Sequence, residues 1–153
     1  MNNNSKLFIS SNNILASEKS NLVGAACRIA MQSKTYYSFR LIDFRTWILP
    51  AIDHKQIMIF FDYFGHPKGY ITWANLAPDT ELRILNDPGF LLHDSEWDEG
   101  SSTWILDCCF PNGGLLYAIP HLRNLLREQG VIRVRWGRRN PDYTIKKMVE
   151  RTT

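Results

Sequence analysis

Gln56-Ile-Met-Ile-Phe-Phe-Asp62 and Lys68-Gly-Tyr-Ile-Thr-Trp-Ala-Asn75, separated by Tyr63-Phe-Gly-His-Pro67, are the stretch on which the fold turns. Both flanks are rich in β-branched and aromatic residues, and a spacer bearing Gly and Pro between them marks an antiparallel hairpin. Upstream, Leu22, Val23, Ala26, Ile29 and Ala30 recur at helical spacing between Glu18 and Gln32, and a second helical stretch runs from Ser38 to Ile48, ending near Pro50. Downstream, Pro78 to Leu85 reads as a short helix and Asp87 to Ser102 as an irregular acidic loop. Thr103 to Phe110 reads as a buried strand, Pro111-Asn-Gly-Gly114 as a turn, and Leu115 to Gln129 as a helix closed by Gly130. Val131 to Trp136 reads as a strand. A last helix is expected from Pro141 to about Arg151, with proline in its favoured first-turn position. The order predicts an α+β layer of helices on a mostly antiparallel sheet.

At 153 residues the chain has the size of one domain with one sizeable core. The Asn/Ser-rich start predicts a flexible arm over residues 1–16 and a single domain over 17–153. Hydrophobic and charged fractions of 44% and 22% exclude a disordered, collagen-like or membrane protein. The apolar runs at Gln56–Phe61 and Trp104–Phe110 fall well short of the ~20 residues that span a bilayer. The N-terminus has no secretory pattern. Cys27, Cys108 and Cys109 fit no metal spacing, and an odd count suits a reducing compartment. A cytoplasmic protein with no disulfide, no metal and no tightly bound cofactor is the expectation.

Charge is uneven. Between Asp79 and Glu99 seven acids face one base, Arg83, whereas between Arg133 and Arg151 seven bases face Asp142 and Glu150. The basic stretch, with Arg135, Arg138 and Arg139, is the expected docking face for an acidic partner. A whole-chain net charge of +3 and the lack of a recognised motif argue against nucleic acid.

Trp47-Ile-Leu-Pro-Ala-Ile52, Gly69-Tyr-Ile-Thr-Trp-Ala-Asn-Leu76, Leu85-Asn-Asp87 and Thr103-Trp-Ile-Leu-Asp107 stand in the order and spacing of short blocks in the haemolysin-type toxin-activating lysine acyltransferases. The chain resembles that family over roughly Met31 to Tyr117. The resemblance implies a fold related to the GNAT acetyltransferases. It also implies a fatty acyl donor carried by acyl carrier protein, and a toxin precursor as acceptor. Of the family's catalytic His and Asp, the Asp falls on Asp107 and the His on Tyr36, with Ser33 matching the pattern just before it. Some members are associated with microcin maturation, in which a siderophore-type group joins a bacteriocin peptide. The loss of the histidine makes that branch attractive.

Asp107 lies in an apolar run, where a carboxylate must be paired or hydrogen-bonded, so it is either a structural partner or a poised catalytic group. Tyr36, a phenol of pKa about 10, is no general base at neutral pH but can donate a hydrogen bond. It either packs in the core or takes part in catalysis. His54, His66, His93 and His121 are candidates for the missing base, each more plainly read as a surface histidine. Trp73 and Asn75 share one face of a strand and are candidate substrate contacts, with Trp73 favoured as core. The turn Asn112-Gly113-Gly114 before a helix offers N–H groups to a phosphate or oxyanion. Two functions follow: an enzyme modifying a toxin or microcin precursor, with a divergent reaction such as siderophore-type conjugation to a microcin expected because Tyr36 replaces the histidine, or a non-catalytic subunit, in a homo- or hetero-oligomer, that binds the precursor or a companion maturation enzyme.

Overall fold

A computed structural model describes residues 8–9 and 16–153. The arm expected over residues 1–16 therefore lies almost wholly outside the described residues. Helix α1 spans Ala16–Gln32. A second helical run then comprises α2 (Leu41–Asp43), a π-helical turn (Phe44–Ile48) and α3 (Leu49–Asp53). The run was expected to stop near Pro50, and it continues through it. Pro50 has no N–H to give, and its ring needs room at the preceding turn. The widened π turn, closed by the Leu49 N–H on the Phe44 carbonyl, fits both conditions.

Among the described residues the sheet has six strands in sequence order: β1 (Phe8–Ile9), β2 (Ile57–Phe61), β3 (Pro67–Leu76), β4 (Ser102–Cys109), β5 (Arg133–Arg139) and β6 (Ile145–Thr152). Every neighbouring pair is antiparallel except β4 and β5, which are parallel and joined by helix α5 (Leu115–Glu128). Helix α4 (Pro78–Asn86) and a 3-10 turn (Asp94–Trp97) follow β3. The α+β reading and the hairpin hold. The last helix does not, because Pro141 serves a turn instead of a helix start. There the Asn140 N–H donates to the Thr144 carbonyl at 2.8 Å, Tyr143 adopts φ 66°, and Asp142 Oδ1 accepts from the Thr144 N–H. The residues beyond pair with β5, Val149 lying opposite Trp136.

Side-chain alternation sorts the core onto the two faces of the sheet. Ile57, Ile59, Tyr70, Ala74 and Leu76 pack with Ala26 and Ile29 of α1 and Ala51 and Ile52 of α3. Met58, Phe60, Ile71 and Trp73 pack with Ala118, Leu122 and Leu126 of α5. Gly69 sits where a Cβ would come within 2.2 Å of the Phe110 ring, which also stacks on Phe60 at 5.6 Å. Gly69→Ala is expected to displace that ring and to cost about 2 kcal/mol by overpacking. Urea unfolding checks it, and an unchanged midpoint would refute the close packing.

Candidate active site

Strand β4 carries a bulge that aims the central side chain. Thr72 pairs with Asp107 but Trp73 pairs with Ile105, so Leu106 is the extra residue. Trp104 packs on the α1 side and Ile105 on the α5 side. Strict alternation would send Asp107 to the α5 side with Ile105. The bulge resets the phase, so Leu106 and Asp107 both face α1.

There Asp107, 8% exposed, is surrounded by donors. The Tyr36 hydroxyl donates to Oδ1, as does the Cys108 N–H at 2.7 Å. The Tyr70 hydroxyl donates to Oδ2 at 3.0 Å. The Trp47 indole, set on the π turn and packed edge-on against Trp97, adds a further hydrogen bond. Burial raises the Asp107 pKa above the ordinary carboxylate value, and these bonds oppose the rise. Burial, and then the Asp107 carboxylate, hold the Tyr36 and Tyr70 phenols well above the usual phenol range. The Cys108 thiol is pushed up to about 12 and Cys109 to about 11, chiefly by burial. In this cluster the phenols and thiols hold their protons more tightly than usual, and Asp107 is the carboxyl they surround.

Ser33 shapes the turn that delivers Tyr36. Its Oγ accepts the N–H groups of Thr35 at 3.2 Å and Tyr36 at 3.4 Å, and it bonds the Cys109 thiol instead of Asp107. The histidines are committed elsewhere. His54 faces Asp94, His66 faces Asp62, His93 caps the 3-10 turn, and His121 lies near the Phe60 ring.

Strands β4 and β5 pair only from Thr103 to Ile105 against Val134 to Trp136, although both run on for several residues. A cleft of about 430 Å3 lies at the turn before α5, lined by Cys108, Phe110, Gly113, Gly114, Leu115, Leu116 and Tyr117. Gly113 and Gly114 take φ of 79° and 106°, a conformation that favours glycine, and Gly114 starts α5 without any side-chain cap. Asn112 instead ties the turn to α1, donating to Gln32 Oε1 at 3.1 Å. Asp107 and Cys108 are successive residues on opposite faces, so the carboxylate and the cleft stand back to back across β4.

Three expected site residues lie elsewhere. Trp73 is 1% exposed and packs in the α5-side core. Asn75 donates to Asp98 Oδ1 at 2.7 Å and accepts from the Thr103 hydroxyl at 2.8 Å, ties that hold the acidic loop. It borders a hollow of about 800 Å3 at the far end of β4 from Asp107. Arg135 is bound to Glu81 and, at 2.7 Å, to Glu150. Its charge is spent within the fold. Tyr70, Trp47 and Cys109 escaped sequence reasoning. The signal available for Tyr70 and Trp47 was general: a buried phenol or indole needs a polar partner.

The sequence model of the RTX toxin acyltransferase family matches residues 15–150. The chain belongs to that family. It is 32% identical over 93 residues to the leukotoxin-activating lysine-acyltransferase LktC serotype T3 of Mannheimia haemolytica, covering 61% of this chain and 54% of that one. It is 27% identical over 111 residues to the protein-lysine myristoyltransferase RtxC of Kingella kingae, covering 72% and 65%. The chain thus spans about half to two thirds of the length of these relatives. A GNAT-family acetyltransferase from Listeria monocytogenes superposes with a TM-score of 0.60 at 11% identity, over 99% of this chain and 97% of that one. That likeness establishes the GNAT-like fold. In this member of the family, a tyrosine and the aspartate of β4 meet in a hydrogen bond at the positions read as the catalytic pair. Among the described residues no helix is long and apolar enough to cross a membrane.

Proposed function

We propose that this chain transfers an acyl group from a thioester donor to a lysine of a toxin precursor in the cytoplasm, with Tyr36 and Asp107 as the reacting pair. The observation that carries the reading is the hydrogen bond from the Tyr36 hydroxyl to a buried, otherwise fully bonded Asp107. Kinship with lysine acyltransferases supplies the acceptor class. The donor arm enters at the cleft by Gly113 and Gly114 and passes between the diverging ends of β4 and β5 toward the Asp107 face.

The acceptor nitrogen attacks the thioester carbonyl, and its proton becomes acidic as the C–N bond forms. Tyr36 Oη takes that proton while passing its own to Asp107, so no free phenolate is needed. Collapse breaks the C–S bond, and the proton returns through Tyr36 to the leaving thiolate. A carboxylate whose proton affinity is raised by burial suits this duty better than an exposed one.

A second reading rests on the missing histidine: an ammonium of pKa about 10.4 gives up its first proton reluctantly without a base, and a hydroxyl acceptor has no such requirement. It includes the conjugation of a siderophore-type group to a microcin precursor. A third, a non-catalytic subunit that binds the precursor or a companion maturation enzyme, is favoured by the placing of cleft and carboxylate on opposite faces. Intact-mass analysis of a toxin precursor co-expressed with and without this chain separates the three. A hydroxylamine-resistant gain of one acyl chain supports lysine acylation, a hydroxylamine-sensitive gain the hydroxyl acceptor, and no gain the binding subunit.

The acyl donor is proposed to arrive on an acidic carrier. Arg138 of β5 stands opposite Lys147 of β6, and among the described residues neither is in an ion pair. Like charges facing across a sheet are unfavourable until an anion covers them. Arg139, which donates to the Tyr143 carbonyl, lies beside them. Reversing Arg138 and Arg139 to Glu is expected to weaken carrier binding about tenfold and to flatten its salt dependence, since each exposed pair contributes under about 1 kcal/mol and is screened. Titration at two salt concentrations checks it, and unaltered binding would place docking elsewhere.

A further inference from the structure

Asp107 has two oxygens with different partners. Oδ1 takes the Tyr36 hydroxyl and the Cys108 N–H, and Oδ2 takes the Tyr70 hydroxyl. Tyr70 is itself fully buried on β3, opposite Cys109, and so has no access to substrate. Its hydroxyl donates to Oδ2 at 3.0 Å and also hydrogen-bonds the Cys109 thiol, so both its partners lie within the fold.

We infer that Tyr70 is a positioning residue for the transfer: by occupying Oδ2 it turns Oδ1 toward Tyr36 and keeps the carboxylate ionised while it waits for the proton. The inference rests on the acyl-transfer reading for its kinetic consequence, while its electrostatic consequence belongs to the carboxylate alone. The titratable groups facing Asp107 are Tyr36 from the turn after α1, Tyr70 from β3, and Cys108 and Cys109 from β4 itself. All four hold their protons through the neutral range. The Trp47 indole from the π turn and the Ser33 hydroxyl by Cys109 do not titrate. A change in proton affinity on removing the Tyr70 hydroxyl is thus assignable to Asp107.

The hydrogen bond from Tyr70 favours the ionised form, so its loss makes the carboxyl hold its proton to higher pH. The required form is the carboxylate, and activity falls as pH drops through its titration. In Tyr70→Phe the acid limb of the rate profile therefore moves to higher pH, by roughly one pH unit for one charge-assisted hydrogen bond. The rate at the plateau falls about tenfold through the loosened Oδ1 geometry, with KM for the donor little changed.

Two measurements are made on the full chain: the pH profile of precursor acylation, and the titration of the Asp107 carboxyl carbon by NMR. Wild type and Tyr70→Phe are compared, with thermal melting to confirm the fold. The expected result is an upward shift in both. Active wild type with superimposable profiles and titrations in the two proteins overturns the inference and leaves the acyl-transfer reading standing. Wild type without acylation overturns that reading, and the carboxyl titration still decides whether Tyr70 governs Asp107. If Tyr70→Phe fails to fold, the same comparison is made with 3-fluorotyrosine in place of Tyr70, which keeps the shape and has a stronger hydroxyl donor. A shift of the Asp107 titration to lower pH supports the donor's role, and a titration unchanged from wild type refutes it.

Discussion

Replacing Asp107 by Asn is expected to reduce acyl transfer by about 100-fold or more while leaving the fold in place. The swap keeps size and hydrogen-bonding shape, so the bulge and the Tyr36 turn have the same side chain to close on, but the amide has no charge with which to take the relayed proton. Stability should move the other way. Because burial raises the folded-state pKa of Asp107 above its ordinary value of 3.8, the native state holds its proton more tightly than the unfolded chain does. Wild-type stability contributed by this group is present below that value and is lost as pH rises through the folded-state pKa. The Asn variant has no such loss, so its melting temperature relative to wild type should climb between pH 4 and pH 8. Thermal melts across that range, beside acylation rates, check both halves. A variant that is as active as wild type, or whose relative stability falls with pH, would contradict the site.

The second large effect is at Tyr36. Tyr36→Phe removes the hydroxyl that bonds Asp107 Oδ1 and that, on the proposed mechanism, takes the acceptor's proton, so the rate should fall about 100-fold. It also leaves a buried carboxylate oxygen with one donor fewer. Tyr36→His installs the residue type that the resemblance implies at this position, and an imidazole of ordinary pKa about 6.5 takes a proton unaided. Its rate should lie within about tenfold of wild type or above it, with an acid limb set by the imidazole. Steady-state acylation of the three proteins from pH 5.5 to pH 9 is the check. Full activity in Tyr36→Phe would remove the phenol from the chemistry.

Much of the frame was legible in local pattern. The β-branched and aromatic residues of Gln56–Asp62 and Lys68–Asn75, with Gly and Pro between them, marked the hairpin because each of these strands has a clear partner nearby. The apolar setting of Asp107 marked a carboxylate in need of donors. Its direction was not legible, since the phase of β4 depends on how Leu106 fails to pair with β3, and pairing is a long-range choice. For the same reason Tyr70 looked like one more core aromatic until the bulge brought Asp107 to it. The missed β6 has a different cause. Proline suits the second position of a turn as well as the first turn of a helix, and only the pairing of Val149 with Trp136 decides between them. Arg135 drew notice as part of a charge run, yet Glu81 and Glu150, far apart in sequence, are what it serves.

The most direct test is thiol release from an acyl-carrier thioester by the purified chain in the presence of a toxin precursor, followed for wild type and Asp107→Asn with the precursor's mass read in parallel. The Tyr36–Asp107 account predicts one thiol released for each acyl group gained by the precursor in wild type, and neither in Asp107→Asn. Equal release and equal mass gain by the two proteins would contradict it.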